Sequence, residues 1–387
     1  MAGRSTFGNT RKLPSGRWQA SYWHEGEHHL GPHTFGTKAD ANAYLSTVQA
    51  DVRRGAWIDP EAGLVKFDEH ATAWLGTVVN LTPKSRLSIE SLLRSTVMPA
   101  FADKTLVSIR PSAVREWIAS LDARGLSASR IRQAHGVFSR IMASAVQDRL
   151  IVASPCVGMR LPRVRRPEPV YLTAEQVDEL ARAMPKPYDL FVHVLAYGGL
   201  RYGEAAALRR GRCHLLKRRL LIAEAMTEVS GKLIFGDPKS HQNRSVAVPA
   251  SLTEELAAHL AADVARNPGA LVFTAPGGGP LRYSNFRTRI WDPACDTTRL
   301  VGVTPHVLRH TCATLLLGQG ASVKDVQAQL GHGTATLTLD TYAAYMSDHA
   351  EELSDRLDQL RTGATADPSR TIAHVGSGPR KPARDKA

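Results

Sequence analysis

Residues 162–169, with the sequence PRVRRPEP, divide the chain into two parts. Proline has no backbone N–H, and it pushes the residue before it into an extended conformation, so a helix cannot continue through this run. The run therefore predicts a stiff, basic linker between separately folded parts. A chain of 387 residues is long enough for two or three domains.

Residues 64–161, before the linker, carry apolar residues at helical spacing throughout. Phe67, Ala71 and Leu75 stand one turn apart on the first expected helix, and Ser127 is placed to begin a long last one. The pattern predicts a separate helical domain of about four helices.

Residues 1–57 predict a different, smaller domain. Residues 17–23 alternate as a strand does, Gly26 stands in the expected turn, and residues 28–35 return. Thr37 is positioned to cap a helix that ends at Gly55. Such a sheet, with its aromatic and basic side chains, could enter a DNA groove. The aromatic residues could equally be the core of a small N-terminal cap, and composition alone leaves both readings open.

Residues 170–362, after the linker, predict a mixed α+β domain. Thr173 and Gln176 form a capping box, and a buried helix over 188–197 ends at two glycines. Strands are expected at 220–225, 232–235, 244–248 and 271–273, and helices at 174 onward, 252–264, 283–296, from Pro305 and from Ser347. Residues 363–387 are rich in Gly, Pro, Ser and Ala and basic, which predicts a disordered tail. The expected fold class is multidomain, mainly α with small β-sheets.

The charge of the chain points to a polyanionic partner. Lys and Arg number 49 against 36 Asp and Glu, a net charge of +13. From Arg110 to Arg166 there are 11 arginines, no lysine and 3 acidic residues, which favours one side lying against phosphates. Nucleic acid is the expected partner, and a soluble protein that is merely basic is the alternative.

The cysteines and the apolar runs bear on the compartment. The 4 cysteines form no C-x-x-C pair, which argues against a zinc knuckle and a disulfide framework. We find neither an 18-residue apolar run nor a signal peptide. The expectation is a reducing, cytoplasmic location without a membrane partner.

One helix face carries the strongest chemical signal. His306, Arg309 and His310 stand at i, i+3 and i+4, so they project from one side of a helix. A His pair at this spacing can bind zinc, but Val307 stands where a zinc protease has its general-base Glu. A helix with solvated charges is the other reading, and the face alone does not decide among them.

Motifs elsewhere in the chain resemble the tyrosine recombinase, or phage-type integrase, family. The residues that carry the resemblance are Gly199-Leu200-Arg201, Pro238-Lys239-Ser240, His306-Val307-Leu308-Arg309-His310, Leu330-Gly331-His332 and Asp340-Thr341-Tyr342. They follow the family's order, and Tyr342 stands ten residues after His332, as in the family. The resemblance implies an arm-type DNA-binding domain at 1–57, a helical core-binding domain at 64–161 and a catalytic domain at 170–362.

The resemblance implies that the chain cuts and rejoins DNA strands through a covalent 3′-phosphotyrosine, without metal or cofactor. Tyr342 is then the nucleophile, and Arg201 and Arg309 hold the non-bridging phosphate oxygens. Bidentate guanidinium suits the charge that develops there. A phenol of pKa near 10 needs a neighbouring base and a cationic environment to attack at neutral pH.

The remaining implied roles concern protons and positioning. Lys239 is the acid for the leaving 5′-oxygen, His306 assists proton transfer from the tyrosine, and His332 bonds the phosphate. Glu204 is expected to steady the arginines or histidines. His310 is expected to be a structural neighbour, and Tyr345, one turn after Tyr342, is the competing nucleophile.

The resemblance also implies partners. Expected are double-stranded DNA with core and arm-type sites, a homotetramer on that DNA, and a host DNA-bending factor and an excisionase. The last helix, with Leu353, Leu357 and Leu360, could dock on a neighbouring subunit or pack on its own domain. A type IB topoisomerase and a catalytically idle DNA-binding protein are the alternatives. The N-terminal domain argues against the first and the complete catalytic set against the second.

Overall fold

The computed structural model describes residues 7–164, 170–238 and 243–331, with the single helical positions 354, 358 and 361. The chain divides into two compact units, Met1–Pro167 and Glu168–Ala387. The predicted tail and most of the predicted last helix lie outside the described residues, as does part of the linker. Within the part that is described, no helix has both the length and the apolar character needed to span a bilayer.

The first unit begins with a three-stranded antiparallel sheet and a helix: β1 (Gly8–Lys12), β2 (Trp18–His24), β3 (Glu27–Leu30) and α1 (Lys38–Arg53). The predicted helix is confirmed, with Thr37 accepting a hydrogen bond from the Asp40 amide. The sequence pattern missed β1, whose residues are mostly polar. The predicted return strand is too long, because β3 ends at Leu30 and Phe35 makes only an isolated bridge to Trp18.

The helical part of this unit contains α2 (Phe67–Thr77), α3 (Pro83–Leu92), α4 (Met98–Phe101), α5 (Pro111–Ala123) and α6 (Ala128–Gln147). A cluster of aromatic rings forms its centre, since Phe101 stacks on Phe138 at 4.5 Å and both contact Trp117. The Trp117 indole N–H donates to the buried Thr96 carbonyl at 3.1 Å. The helical character is confirmed, including the start of α6, where Ser127 accepts from the Arg130 amide. The expected number of about four helices is too low, because a π turn over Leu93–Val97 separates α3 from α4.

The second unit contains α7 (Ala174–Arg182), α8 (Tyr188–Gly198), α9 (Tyr202–Ala206), β4 (Cys213–His214), β5 (Arg219–Ile222), β6 (Ala225–Val229), β7 (Lys232–Gly236), β8 (Arg244–Ala247), α10 (Ala250–Ala262), α11 (Tyr283–Phe286), α12 (Asp292–Thr297), α13 (Pro305–Gly318) and α14 (Val323–Leu330). The strands form an antiparallel sheet of order β4-β5-β8 and a β6-β7 hairpin. Helix α8, buried along almost its whole length, contacts α7, α10 and α13 and forms the centre of the core.

Three predictions for this unit need correction. The strand expected at 220–225 is the end of β5 and the start of β6, with a break between them. The strand expected at 271–273 does not form, because its pairing is limited to an isolated bridge between Leu271 and Arg209. The helix expected at 283–296 contains a π turn over Arg287–Trp291 between α11 and α12. Pro293 follows this turn and has no amide to donate, which is a common cause of such irregularity.

Candidate active site

Arg201 follows the end of helix α8. The helix ends at Gly199, which has the left-handed φ of 66° that glycine adopts without strain. Leu200 is fully buried and anchors the turn. Arg201 then begins α9 with its side chain 26% exposed, so its guanidinium is within reach of a ligand.

Glu204 binds two arginines from a buried position. Its carboxylate is 1% exposed and accepts from both the backbone N–H and Nη1 of Arg201, each at 2.9 Å. It also accepts from Nη1 and Nη2 of Arg244, at 2.9 and 2.6 Å. Burial by itself would raise the pKa of Glu204, but the hydrogen bonds and charges of Arg244, and then of Arg201, lower it to about 2. The carboxylate is therefore ionised at neutral pH.

Arg309, on α13, connects two segments that the motifs singled out. Its side chain is buried, at 2% exposed. Nη1 donates to the Gly199 carbonyl at 2.7 Å, and Nη2 donates to the Leu330 carbonyl at 2.6 Å. One guanidinium thus binds both the turn that leads to Arg201 and the end of α14. His332 follows that end by two residues.

His306 and His310 lie on the same face of α13, as their spacing predicts. Their rings meet edge to face with centroids 4.8 Å apart. His306 is exposed, whereas burial, and then the charge of Arg309, lower the pKa of His310. Within residues 7–331 as described, no set of three His, Cys, Asp or Glu side chains forms a metal-binding group.

Lys239, His332 and Tyr342 lie outside the described residues, as does Tyr345. Described residues that lie near Lys239 and His332 in the chain contact each other. Strand β8 begins at Arg244, five residues after Lys239, and contacts α14. Gly331 caps α14 and immediately precedes His332. Of the six residues expected at the site, the structure therefore places Arg201, His306 and Arg309.

Two residues of the site were missed by sequence reasoning. Arg244 is one, with a side chain only 9% exposed. Gln329 is the other, and its amide group donates to the Ala247 carbonyl at 2.8 Å and accepts from the Ala247 N–H at 3.1 Å. Neither residue has a local sequence signal, because both partners lie tens of residues away in the chain.

Two regions of the first unit carry the basic side chains that the sequence singled out. The exposed face of the N-terminal sheet presents Asn9, Arg11, Trp23 and His28, with Trp23 66% exposed. In the helical part, some of the concentrated arginines have structural contacts, since Arg132 donates to the Pro162 carbonyl at 2.8 Å. Other arginines of the run, such as Arg110, Arg115 and Arg124, are exposed.

Solved structures share this fold. The integrase of the Tn1549 transposon, solved in complex with transposon right end DNA, has a TM-score of 0.64 at 20% identity, and the match covers 78% of this chain and all of that chain. A lambda integrase dimer bound to a COC′ core site has a TM-score of 0.55 at 15% identity, covering 88% and 96%. The predicted fold class, mainly α with small β-sheets, is confirmed.

Sequence comparisons give the family. Residues 6–54 match the N-terminal domain of phage integrases, and residues 170–349 match the phage integrase family. The phiRv2 prophage integrase of Mycobacterium tuberculosis is 31% identical over 364 residues, which cover 91% of this chain and 94% of that protein. The integrase of Mycobacterium phage D29 is 27% identical over 376 residues, covering 93% and 98%. The chain therefore belongs to the phage integrase family and is a site-specific tyrosine recombinase, which confirms the resemblance that the motifs indicated.

Proposed function

We propose that six residues carry out strand cleavage and rejoining in this recombinase: Arg201, Lys239, His306, Arg309, His332 and Tyr342. The observation that supports the set most strongly is the pair of hydrogen bonds from Arg309 to the Gly199 and Leu330 carbonyls. These bonds bring together segments more than a hundred residues apart in the chain, each ending beside one of the proposed residues.

In the proposed reaction, the phenolic oxygen of Tyr342 attacks the scissile phosphorus. A phosphorus–oxygen bond to the tyrosine forms while the bond to the 5′-oxygen breaks, so the products are a 3′-phosphotyrosine and a 5′-hydroxyl. The phenol proton passes toward His306, and Lys239 supplies a proton to the leaving oxygen. Attack by a 5′-hydroxyl reverses the step, so the energy of the broken phosphodiester is retained in the covalent bond.

The two arginines neutralise the charge that builds on the non-bridging oxygens. Arg201 is partly exposed and fixed on Glu204, so its guanidinium is oriented before the phosphate arrives. Arg309 is the buried member, and it orders the site as well as contributing charge. Removing one such preorganised donor costs roughly 10²–10³ in rate in other enzymes. His332 is proposed to form a hydrogen bond to the same phosphate.

The proposed partner is double-stranded DNA, held by three regions: 1–57 at arm-type sites, 64–161 at core sites and 170–362 at the cleavage point. Residues 162–169 are the basic linker between the last two. The exposed sheet face with Arg11 and Trp23, and the arginine-rich stretch from Arg110, support this division. A lambda integrase tetramer bound to a Holliday junction shares the fold, with a TM-score of 0.51 at 14% identity. We infer a homotetramer for this chain too, assisted by a host DNA-bending factor and an excisionase.

Covalent capture on DNA tests the nucleophile. The substrate is chosen from a library of nicked DNA duplexes by selecting those that become covalently attached to the protein. On this substrate the wild-type chain is expected to form a denaturation-resistant adduct and to leave a free 5′-hydroxyl. Tyr342→Phe is expected to abolish the adduct, while the matched control Tyr345→Phe retains it, with or without EDTA. An adduct that persists in Tyr342→Phe and disappears in Tyr345→Phe would overturn the assignment.

A further inference from the structure

Arg244 occupies an unusual position for an arginine. It begins β8, its side chain is 9% exposed, and both terminal nitrogens bind the two oxygens of the Glu204 carboxylate. This fork-to-fork geometry fixes the plane of the carboxylate, because guanidinium and carboxylate are both planar and pair through two parallel hydrogen bonds.

Arg201 depends on that same carboxylate. Its Nη1 donates to Oε1, which also accepts from Arg244, and its backbone N–H donates to Oε2. An ionised carboxylate has about four acceptor positions, and these four hydrogen bonds use them. A change in the orientation of Glu204 would therefore be transmitted directly to the guanidinium of Arg201.

Arg244 has a second contact on its other side. Its Nε donates to the Gln329 carbonyl at 3.4 Å, in the last turn of α14, where a cation is favoured by the unpaired carbonyls of a helix C-terminus. Its aliphatic stem packs against Gly331, where an added Cβ would lie 2.6 Å from the Arg244 Cδ. The aliphatic stem of Arg244 therefore supports Gly331, the residue that precedes His332.

The strand that carries Arg244 is itself fastened to α14. The Gln329 side chain bonds both the N–H and the carbonyl of Ala247, three residues along β8. Gln329 also donates to the Gly198 carbonyl at 3.4 Å, at the end of α8. Strand β8 and the ends of α8 and α14 thus share one set of polar contacts.

We propose that Arg244 is a positioning residue for strand cleavage, which sets Arg201 through Glu204 and supports the turn that leads to His332. The inference rests on the proposed roles of Arg201 and His332 at the phosphate. Buried ion pairs contribute little net stability compared with well-packed apolar residues. The pair therefore provides an orientation for Arg201 in addition to the stability that is lost when one partner is removed.

The test compares two DNA substrates that differ in one group on the scissile phosphorus. In one, the scissile phosphate is ordinary; in the other, a methyl group replaces a non-bridging oxygen and removes the negative charge that the arginines neutralise. Single-turnover formation of the covalent adduct is measured for the wild type, Arg201→Ala and Arg244→Met, each relative to the wild type on the same substrate. Misplacing a catalytic group by about an ångström lowers the rate roughly a hundredfold. The rate of adduct formation by Arg244→Met is therefore expected to fall about a hundredfold on the phosphate and less than about tenfold on the methylphosphonate.

The matched control is Arg209→Met, which removes an arginine paired with Glu224 at 2.6 Å in the same unit. It is expected to lower adduct formation equally on both substrates or not at all. Arg244→Lys, which keeps the charge but not the paired geometry, makes the same comparison if Arg244→Met is recovered poorly. An Arg244 variant that is unimpaired, or equally impaired on both substrates, overturns the inference. If Arg201→Ala itself shows no dependence on the substrate, the proposed role of Arg201 fails instead.

Discussion

Helices α8 and α14 end in the same way, but different side chains lie against their terminal glycines. Each ends at a glycine in the left-handed conformation, Gly199 at φ 66° and Gly331 at φ 67°, and each receives a hydrogen bond from Arg309. Around Gly199 the neighbours are apolar, with Leu330 and Cys312 against the position of a Cβ. Around Gly331 the neighbour is the side chain of Arg244.

The two helix ends therefore differ in how easily their surroundings can adjust. The end of α8 belongs to the densely packed core, so its geometry is fixed by the interior of the domain. The end of α14 combines apolar packing, through the fully buried Leu330, with a charged neighbour, because Arg244 lies against Gly331 and donates to the Gln329 carbonyl. The proposed residue Arg201 follows the end that only apolar side chains contact, and the proposed residue His332 follows the end that the ion-paired Arg244 also contacts.

The largest effect is expected from Gly199→Ala. A side chain in the left-handed conformation costs about 1–2 kcal/mol, and overpacking against the core adds typically about 1–3 kcal/mol. The free energy of local opening, measured by hydrogen exchange at the α8 and α13 amides, is expected to fall by a few kcal/mol, that is about 2–5.

Gly320→Ala is the control for Gly199→Ala. Gly320 has φ 82° and nothing within 4 Å of the position of its Cβ, so it carries the backbone cost without the clash. Equal losses in the two variants would show that packing around Gly199 contributes nothing.

Acid is expected to destabilise the fold through Glu204, the buried partner of Arg244. The pKa of Glu204 is lowered in the folded chain from 4.5 to about 2. A lowered pKa stabilises the fold above the unfolded value, so this contribution is complete above pH 4.5 and is lost as the pH falls toward 2. The shift corresponds to about 3 kcal/mol as an order of magnitude.

Urea unfolding of the wild type and Glu204→Gln, measured between pH 6 and pH 3, tests this expectation. The wild type is expected to lose more stability over that range than the variant, which has no carboxylate to protonate. The same pH dependence in both would remove Glu204 as its source.

Gly331→Ala is expected to affect cleavage more than stability. The backbone cost is again about 1–2 kcal/mol, but the clash is with a flexible arginine stem that can move aside. Moving Arg244 would disturb Arg201, so adduct formation is expected to slow by roughly tenfold or more. A variant that is as unstable as Gly199→Ala, or that cleaves at the wild-type rate, would contradict the comparison.

The smallest effect is expected from Gln329→Met. The change keeps the volume and removes three hydrogen bonds, two to Ala247 and a longer one to the Gly198 carbonyl, each worth about 1 kcal/mol or less. Thermal unfolding should shift by a few degrees, and adduct formation should slow only a few-fold. Gln319→Met is the control, because Gln319 lies at the end of α13 and takes no part in the hydrogen bonds among Gln329, Ala247 and Gly198.

Local patterns predicted the parts of the site that are local in the chain. The glycine stop before Arg201, the i, i+3 pair of Arg201 and Glu204, and the face shared by His306 and His310 are all within one or two helical turns. Arg244 was not predicted, because its partner Glu204 is forty residues away. The same holds for Gln329, because neither spacing nor amphipathicity encodes which strand packs on which helix end.

The strands show a similar limit. Where apolar residues alternate, as in β2, the prediction succeeds, but the polar strand β1 has no such pattern and forms because β2 pairs with it. The break between β5 and β6 was also not predicted, because a single charged residue, Glu224, marks it between apolar neighbours. The expectations for Lys239, His332 and Tyr342 remain predictions from motif and spacing.

Arg309→Lys tests most directly the claim that one guanidinium assembles the site from two helix ends. Lysine keeps the charge, but a single ammonium lacks the planar fork that reaches both the Gly199 and Leu330 carbonyls. Single-turnover adduct formation is expected to fall by roughly a hundredfold or more, while DNA binding by gel shift stays near the wild type. Adduct formation at the wild-type rate would contradict the account.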